Sequence, residues 1–159
     1  MTIPTTPVTL ALDDMDIPYR LFQHPGPVHS LEQAAQERNQ RPEQVIRSIV
    51  FRLAKGEYVM VLIAGPQQIS WATLRQTLGR SRLTMAKREE VLQVTGYELG
   101  AVAPFGLPQP MRILADESVF VPDEVSIGSG IRGSTVIMKS ADLKQALGDV
   151  EIVQLGEEL

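Results

Sequence analysis

The sequence predicts a single α+β domain built on a mixed, largely antiparallel and curved sheet, and three observations carry this. The chain has 159 residues, enough for one domain with a sizeable core. Residues 45–53 and 58–64 are β-branched and apolar runs joined by the short connection 54–57, which reads as a hairpin. Those runs are continuous rather than alternating, so both strands are expected to be covered on both faces. The remaining elements do not alternate as regular βαβ units, which argues against a doubly wound parallel sheet.

The elements follow in order. Thr5 or Thr6 caps a helix reaching about residue 16, and Ile17-Pro18 ends it. Residues 19–22 form a short strand and 23–28, with two prolines and a glycine, a loop. Ser30-Leu31-Glu32-Gln33 has the spacing of a capping box opening a helix over 31–38. Arg41-Pro42-Glu43-Gln44 follows as a helical turn with proline at its first position. After the hairpin, Gly65-Pro66 turns the chain. Ser70 caps a helix over 71–78 that Gly79 stops, and Thr84 caps another reaching residue 94. Short strands are expected at 111–115, 117–121, 125–127 and 135–138, with a turn at Asp116. Ser140 then caps a helix to residue 147, and 150–153 is a last strand.

Composition narrows the chemistry. The chain lacks cysteine, which excludes a disulfide framework, a thiol nucleophile and thiolate metal sites. His24 and His29 are the two histidines, too few for a conventional zinc site, so neither metal nor cofactor is expected. No apolar run reaches membrane-spanning length and the first residues lack a signal-peptide pattern, so a cytoplasmic protein without a membrane partner is expected. A net charge of −4 argues against a protein that coats DNA or RNA non-specifically. Charge is segregated, however: Arg75, Arg80, Arg82, Lys87 and Arg88 lie in a stretch without an acid, a candidate local face for phosphate contacts.

The least ordinary stretch runs from Thr95-Gly96-Tyr97 through Gly100-Ala101-Val102-Ala103-Pro104-Phe105-Gly106. Its glycines permit positive φ and close backbone approach, and Pro104 fixes the exit direction. It reads either as a tight apolar connection or as a small-ligand site built from backbone.

Three segments together decide between these: Val45-Ile46-Arg47-Ser48-Ile49-Val50-Phe51, the 95–106 stretch, and Ile127-Gly128-Ser129-Gly130. In this order and spacing they resemble the YbaK/EbsC family of aminoacyl-tRNA deacylases, related to the editing domain inserted in bacterial prolyl-tRNA synthetases. The resemblance runs from about residue 17 to residue 153 and includes Ser30 with Ala34-Ala35, and Asp116-Glu117-Ser118. It implies a curved, barrel-like sheet with surrounding helices. It also implies hydrolysis, without metal, of the ester between a small mischarged amino acid, such as alanine or cysteine on prolyl tRNA, and the tRNA 3′ end. Arg47 and Gly100 then fall at catalytic positions. Tyr19, His29, Ser48, Ala101, Pro104, Phe105, Ser129 and Gly130 fall around the substrate, with Ser129 offering its hydroxyl. The acceptor end of tRNA is the implied partner, met by the basic stretch. Tyr19 also reads as core, His29 as a solvated loop residue, Asp116 as a turn former and Trp71 as helix packing. With no room for a synthetase core in this length, tRNA identity is expected from the acceptor end or a partner synthetase.

One position departs from the family pattern. Its deacylases commonly carry a lysine followed by threonine where this chain has Arg47-Ser48. Arginine stays protonated, so Arg47 cannot serve as a general base, although its planar fork can clamp a phosphate or ribose. A non-catalytic protein that binds aminoacyl-tRNA or an amino-acid derivative is therefore the alternative, as is an Arg47 that merely pairs with a nearby acid.

Overall fold

The computed structural model describes residues 5–157. Helix α1 (Pro7–Asp14) opens on Thr6, whose hydroxyl accepts the Thr9 N–H, with Pro7 preset for the first turn. Strand β1 (Arg20–Gln23) leads to helix α2 (Leu31–Glu37), capped by Ser30. A 3-10 turn (Pro42–Gln44) delivers the chain into the hairpin of β2 (Ile46–Ala54) and β3 (Glu57–Ala64). Helix α3 (Trp71–Leu78) starts at Ser70 and stops at Gly79 in the left-handed region. Then come β4 (Thr84–Met85), α4 (Arg88–Thr95), β5 (Arg112–Asp116), a 3-10 turn (Glu117–Phe120), β6 (Glu124–Gly128), β7 (Ser134–Lys139), α5 (Ser140–Leu147) and β8 (Glu151–Val153).

Two sheets result. The smaller has the order β1-β7-β6 with both pairs antiparallel, and the larger β4-β2-β3-β5-β8. In the larger, β4-β2 and β2-β3 are antiparallel whereas β3-β5 and β5-β8 are parallel. The mixed, largely antiparallel α+β domain is thus present, but the sheets do not close into a barrel. Closure needs continuous pairing around a ring. Here the sheets meet at one isolated bridge, Val45 to Ser126, and β4 pairs through two residues only.

The larger sheet is covered on both sides. Ile46, Val50, Met60 and Leu62 face Val125, Ile127, Val136 and Met138 of the smaller sheet, with Val8 and Leu12 of α1 in the same core. On the opposite face Phe51, Val59, Val61 and Ile63 pack on Leu74 and Leu78 of α3 and on Leu155. Every residue of β3 from Val59 to Ala64 is buried, which accounts for its unbroken apolar run. Trp71 stacks edge-on to Phe51, 5.2 Å between ring centres.

Three local expectations differ. Ser140 is the first residue of α5 rather than its cap, with Lys139 before it and its own hydroxyl donating to the Asp123 carbonyl. Residues 117–120 form a 3-10 turn because the buried Asp116 carboxylate accepts the Ser118 N–H, and it also takes the Leu155 and Gly156 N–H groups. Thr84 lies in an edge strand rather than at a helix cap. The helix begins later, where the Lys87 N–H donates to Glu90.

Candidate active site

A cleft of about 320 Å³ lies along the seam where the two sheets meet. Its walls come from the start of β2 (Val45, Ile46, Arg47, Ser48), the end of β6 (Ser126, Ile127, Gly128), the start of β7 (Ser134, Thr135), His24, Ala34 and Arg38, and Gly100 with Val102. Residues of β2, the 95–106 stretch and β6 thus share one cavity.

The backbone of that stretch is fixed by contact with β6. A Cβ on Gly128 would sit 2.2 Å from the Val102 carbonyl oxygen, so only glycine allows the approach. The Gly130 N–H donates to the Ala101 carbonyl at 3.0 Å, tying the two loops together. Gly100, at φ +91°, then turns the chain past the cleft, and its nearest neighbour on the Cβ side is the Arg132 guanidinium at 3.7 Å.

Arg47 and Gly100, expected at catalytic positions, and Ser48, expected around the substrate, line the cleft. Ala101, Pro104 and Phe105 are buried behind the loop, and Phe105 belongs to the main core. Its carbonyl accepts the Tyr97 hydroxyl at 2.6 Å. Ser129 is fully buried, and its hydroxyl is engaged with Ser134 at 2.5 Å and with the Ile131 carbonyl rather than turned to the cleft. Gly130 packs on the Tyr97 ring. Tyr19 packs against the core and donates to Asp13. His29 is exposed beside the α2 cap, its N–H bonded to Gln33.

Arg47 and Ser48 separate. Alternation along β2 puts Ser48 on the side of Ile46 and Val50, and Arg47 on the side of Ile49 and Phe51. The Arg47 guanidinium donates to the Gln67 carbonyl, and its Nε is buried without a partner. Arg47 makes no ion pair among the described residues, and burial lowers its hold on its proton below that of an ordinary guanidinium. Ser48 Oγ is likewise buried without a hydrogen-bond partner.

The sequence reading missed the polar wall opposite. Arg38, at the C-terminal end of α2, is 7% exposed. Its Nη2 donates to Ser126 Oγ at 2.9 Å, its Nη1 to Thr135 Oγ1 at 3.3 Å and to His24 Nε2 at 3.0 Å, and its Nε to Gln40 at 3.3 Å. A guanidinium is donor only, so His24 Nε2 must accept and its proton resides on Nδ1. Nδ1 accordingly donates to Glu37 at 2.9 Å, a bond that holds the Glu37 carboxyl below its ordinary range. The signal lay in α2: Arg38 follows Ala34 and Ala35 at helical spacing, on the buried face. Among the described residues, no group of three or more acidic, histidine or cysteine side chains could hold a metal, and no helix is long and apolar enough to cross a membrane.

The fold and cleft define an α+β domain with one small, polar-walled pocket between two sheets. Residues 25–146 match the model of the aminoacyl-tRNA editing domain, and the chain belongs to that family. Relatives include the proline–tRNA ligase of Kosmotoga olearia, 35% identical over 62% of this chain and 17% of the ligase. That of Streptococcus pneumoniae serotype 19F is 30% identical over 82% of this chain and 21% of the ligase. The chain thus spans about a fifth of these ligases. Among solved structures, a proposed trans-editing enzyme for prolyl tRNA synthetase aligns over 95% of both chains, with a TM-score of 0.85 at 24% identity. A hypothetical protein aligns over 96% of this chain and all of its own, with a TM-score of 0.86 at 20% identity. At these identities the structural matches define the fold.

Proposed function

We propose that this editing domain is a trans-editing deacylase, hydrolysing the ester that joins a small, wrongly attached amino acid to the 3′ end of a tRNA, with alanine or cysteine on prolyl tRNA as first candidates. The observation that carries the reading is the cleft itself, in which Ser48, Gly100 and the Arg38 wall converge within an editing domain. Its 320 Å³ suits an aminoacyl group with part of the terminal ribose.

An aminoacyl ester is already activated, so hydrolysis needs positioning, a nucleophile and stabilisation of the developing oxyanion. Arg38 and Arg47 stay protonated, and the Nε2 lone pair of His24 is occupied by Arg38. None of these is a free general base. The nucleophile is then a water or the 2′-hydroxyl of the tRNA, and the chain's part is to orient the ester. The Gly100 backbone forms one wall, Ser48 Oγ offers a hydroxyl to a ribose or ester oxygen, and Arg47 is part of the β2 wall. Ribose contacts of this kind, with the basic stretch on the acceptor stem, make aminoacyl-tRNA the partner; a synthetase partner would supply tRNA identity.

A second reading, binding without catalysis, is favoured by one observation: Arg47 replaces the family's lysine and reaches Gln67. A deacylation panel with tRNA charged with alanine, cysteine, serine, threonine or proline separates the two. Turnover of any mischarged species establishes the deacylase. Tight binding of the same species with no turnover establishes the second reading.

A further inference from the structure

We propose that Arg38 is the cleft's cation, donating a charge-assisted hydrogen bond to a negatively charged oxygen of the bound aminoacyl-tRNA end, the role that sequence pattern assigns to Arg47. The inference rests on the aminoacyl-tRNA reading above, and on the placement of two arginines.

Arg47 has its guanidinium on the β2 side opposite Ser48 and bonded to Gln67. Arg38 lines the cleft and is more than nine-tenths buried, with no carboxylate in contact. Its hydrogen-bond partners Ser126, Thr135, His24 and Gln40 include no carboxylate; Glu37, bonded to His24, acts on Arg38 through space, and Glu124 stands behind Gln40. A buried charge with neutral partners is rare and calls for an anionic partner. Nε and both Nη1 hydrogens are spent, whereas Nη2 keeps one N–H beyond its bond to Ser126. Four contacts, from β6, β7 and the loops after β1 and α2, hold the group in place, so little reorganisation is needed when an anion arrives. Lys-to-Arg change on β2 is then tolerable, because the cleft's charge comes from another element.

Two substrate oxygens have this chemistry: the phosphate of the terminal nucleotide, and the ester oxygen as it becomes an oxyanion. Nitrogen-15 NMR of the Arg38 and Arg47 side chains in the unmodified protein tests the proposal. The probes are AMP, adenosine, and a phosphonate analogue of an aminoacyl-adenosine ester carrying an anionic tetrahedral centre. Arg38 resonances that shift with AMP but not adenosine identify the phosphate, and those that shift with the phosphonate alone identify the oxyanion. No Arg38 shift with either anion, or a shift confined to Arg47, overturns the proposal. Arg38→Lys adds a kinetic reading: loss of the fork is expected to cost at least about tenfold, in KM for the phosphate and in kcat for the oxyanion. Arg38 shifts in a protein inert across the deacylation panel would retain the anion site and remove only the catalytic reading.

Discussion

Arg47 and Ser48 are neighbours in sequence and opposites in space: Ser48 Oγ lies buried and unpartnered on the cleft side of β2, while the Arg47 guanidinium reaches Gln67 on the other. The period of two in a strand makes this unavoidable. A motif read as one functional unit is thereby divided between the cleft and the segment that follows β3.

Arg47→Ala tests what remains of the arginine's part in binding. Arg47 is among the residues lining the cleft although its guanidinium turns to Gln67; if a phosphate or ribose oxygen reaches its partnerless Nε, that bond is lost in the variant. A hydrogen bond from a charged donor contributes about 1.5–3 kcal/mol, so substrate affinity should fall roughly 10- to 100-fold. The fold should persist in circular dichroism. Unchanged KM and Kd would leave the Gln67 contact as the residue's whole role.

Two glycines of the site should respond differently to alanine. At Gly100 an added Cβ meets nothing closer than 3.7 Å, but φ is +91°, so the cost is backbone strain of about 1–2 kcal/mol and a displaced cleft wall. Gly100→Ala should melt a few degrees low and lose turnover; Gly100→Val should do so more severely. Gly128→Ala places its Cβ 2.2 Å from a backbone oxygen and should fail to fold or lose more than about 3 kcal/mol in denaturant titration. Equal stability of the two alanine variants would contradict this account of the loop.

The elements most legible in the sequence were those with local causes. Thr6, Ser30 and Ser70 cap the helices they announce, and the 45–64 hairpin follows from its apolar runs. Thr84 misled because an N-cap residue type is equally at home in an edge strand. Non-closure of the sheets was not legible, since it depends on which distant strands pair. At the site, Gly100 and Ser48 were readable from motif spacing. Arg38 and His24 were not, because their role arises from contacts with Ser126 and Thr135, 88 and 97 residues beyond Arg38. Ser129 shows the converse: a hydroxyl in a glycine-rich turn looks available in sequence and is spent on its own loop.

Tyr97 gives the fold an alkaline limit. Its hydroxyl donates to the Phe105 carbonyl in the core, and burial pushes its pKa up to about 12 from an ordinary 10.0. The folded state therefore favours the protonated phenol. This stabilisation is complete below pH 10 and disappears as pH rises from 10 to 12, a loss of roughly 2–3 kcal/mol at 1.36 kcal/mol per pH unit. Tyr97→Phe should be less stable at pH 7, since the Phe105 carbonyl loses its partner, by about 1–2 kcal/mol. Tyr19 and Tyr58 are also raised, so the informative quantity is the difference between wild type and variant in urea titrations. That difference should shrink from pH 10 upwards. A constant difference would mean that Tyr97 does not titrate with unfolding.

The basic stretch divides into paired and unpaired charge, and the salt dependence of tRNA binding should follow that division. Arg80 is bonded to Glu57, whereas Arg88 and Arg132 share a hollow with Leu92, Glu98 and Leu99, next to Gly100, and neither is within ion-pair distance of an acid among the described residues. An unpaired guanidinium that neutralises a phosphate releases about one counterion, and one already matched by a carboxylate releases less. Arg88→Ala should weaken tRNA binding and flatten the slope of log Kd against log salt by about 1, with Arg132→Ala doing the same. Arg80→Ala should change the slope by well under that. Because Arg132 lies 3.7 Å from where a Gly100 side chain would begin, its contact would set the tRNA end at the cleft mouth. Loss of slope in Arg80→Ala with none in Arg88→Ala and Arg132→Ala would place the acceptor stem on the α3 side of the molecule instead.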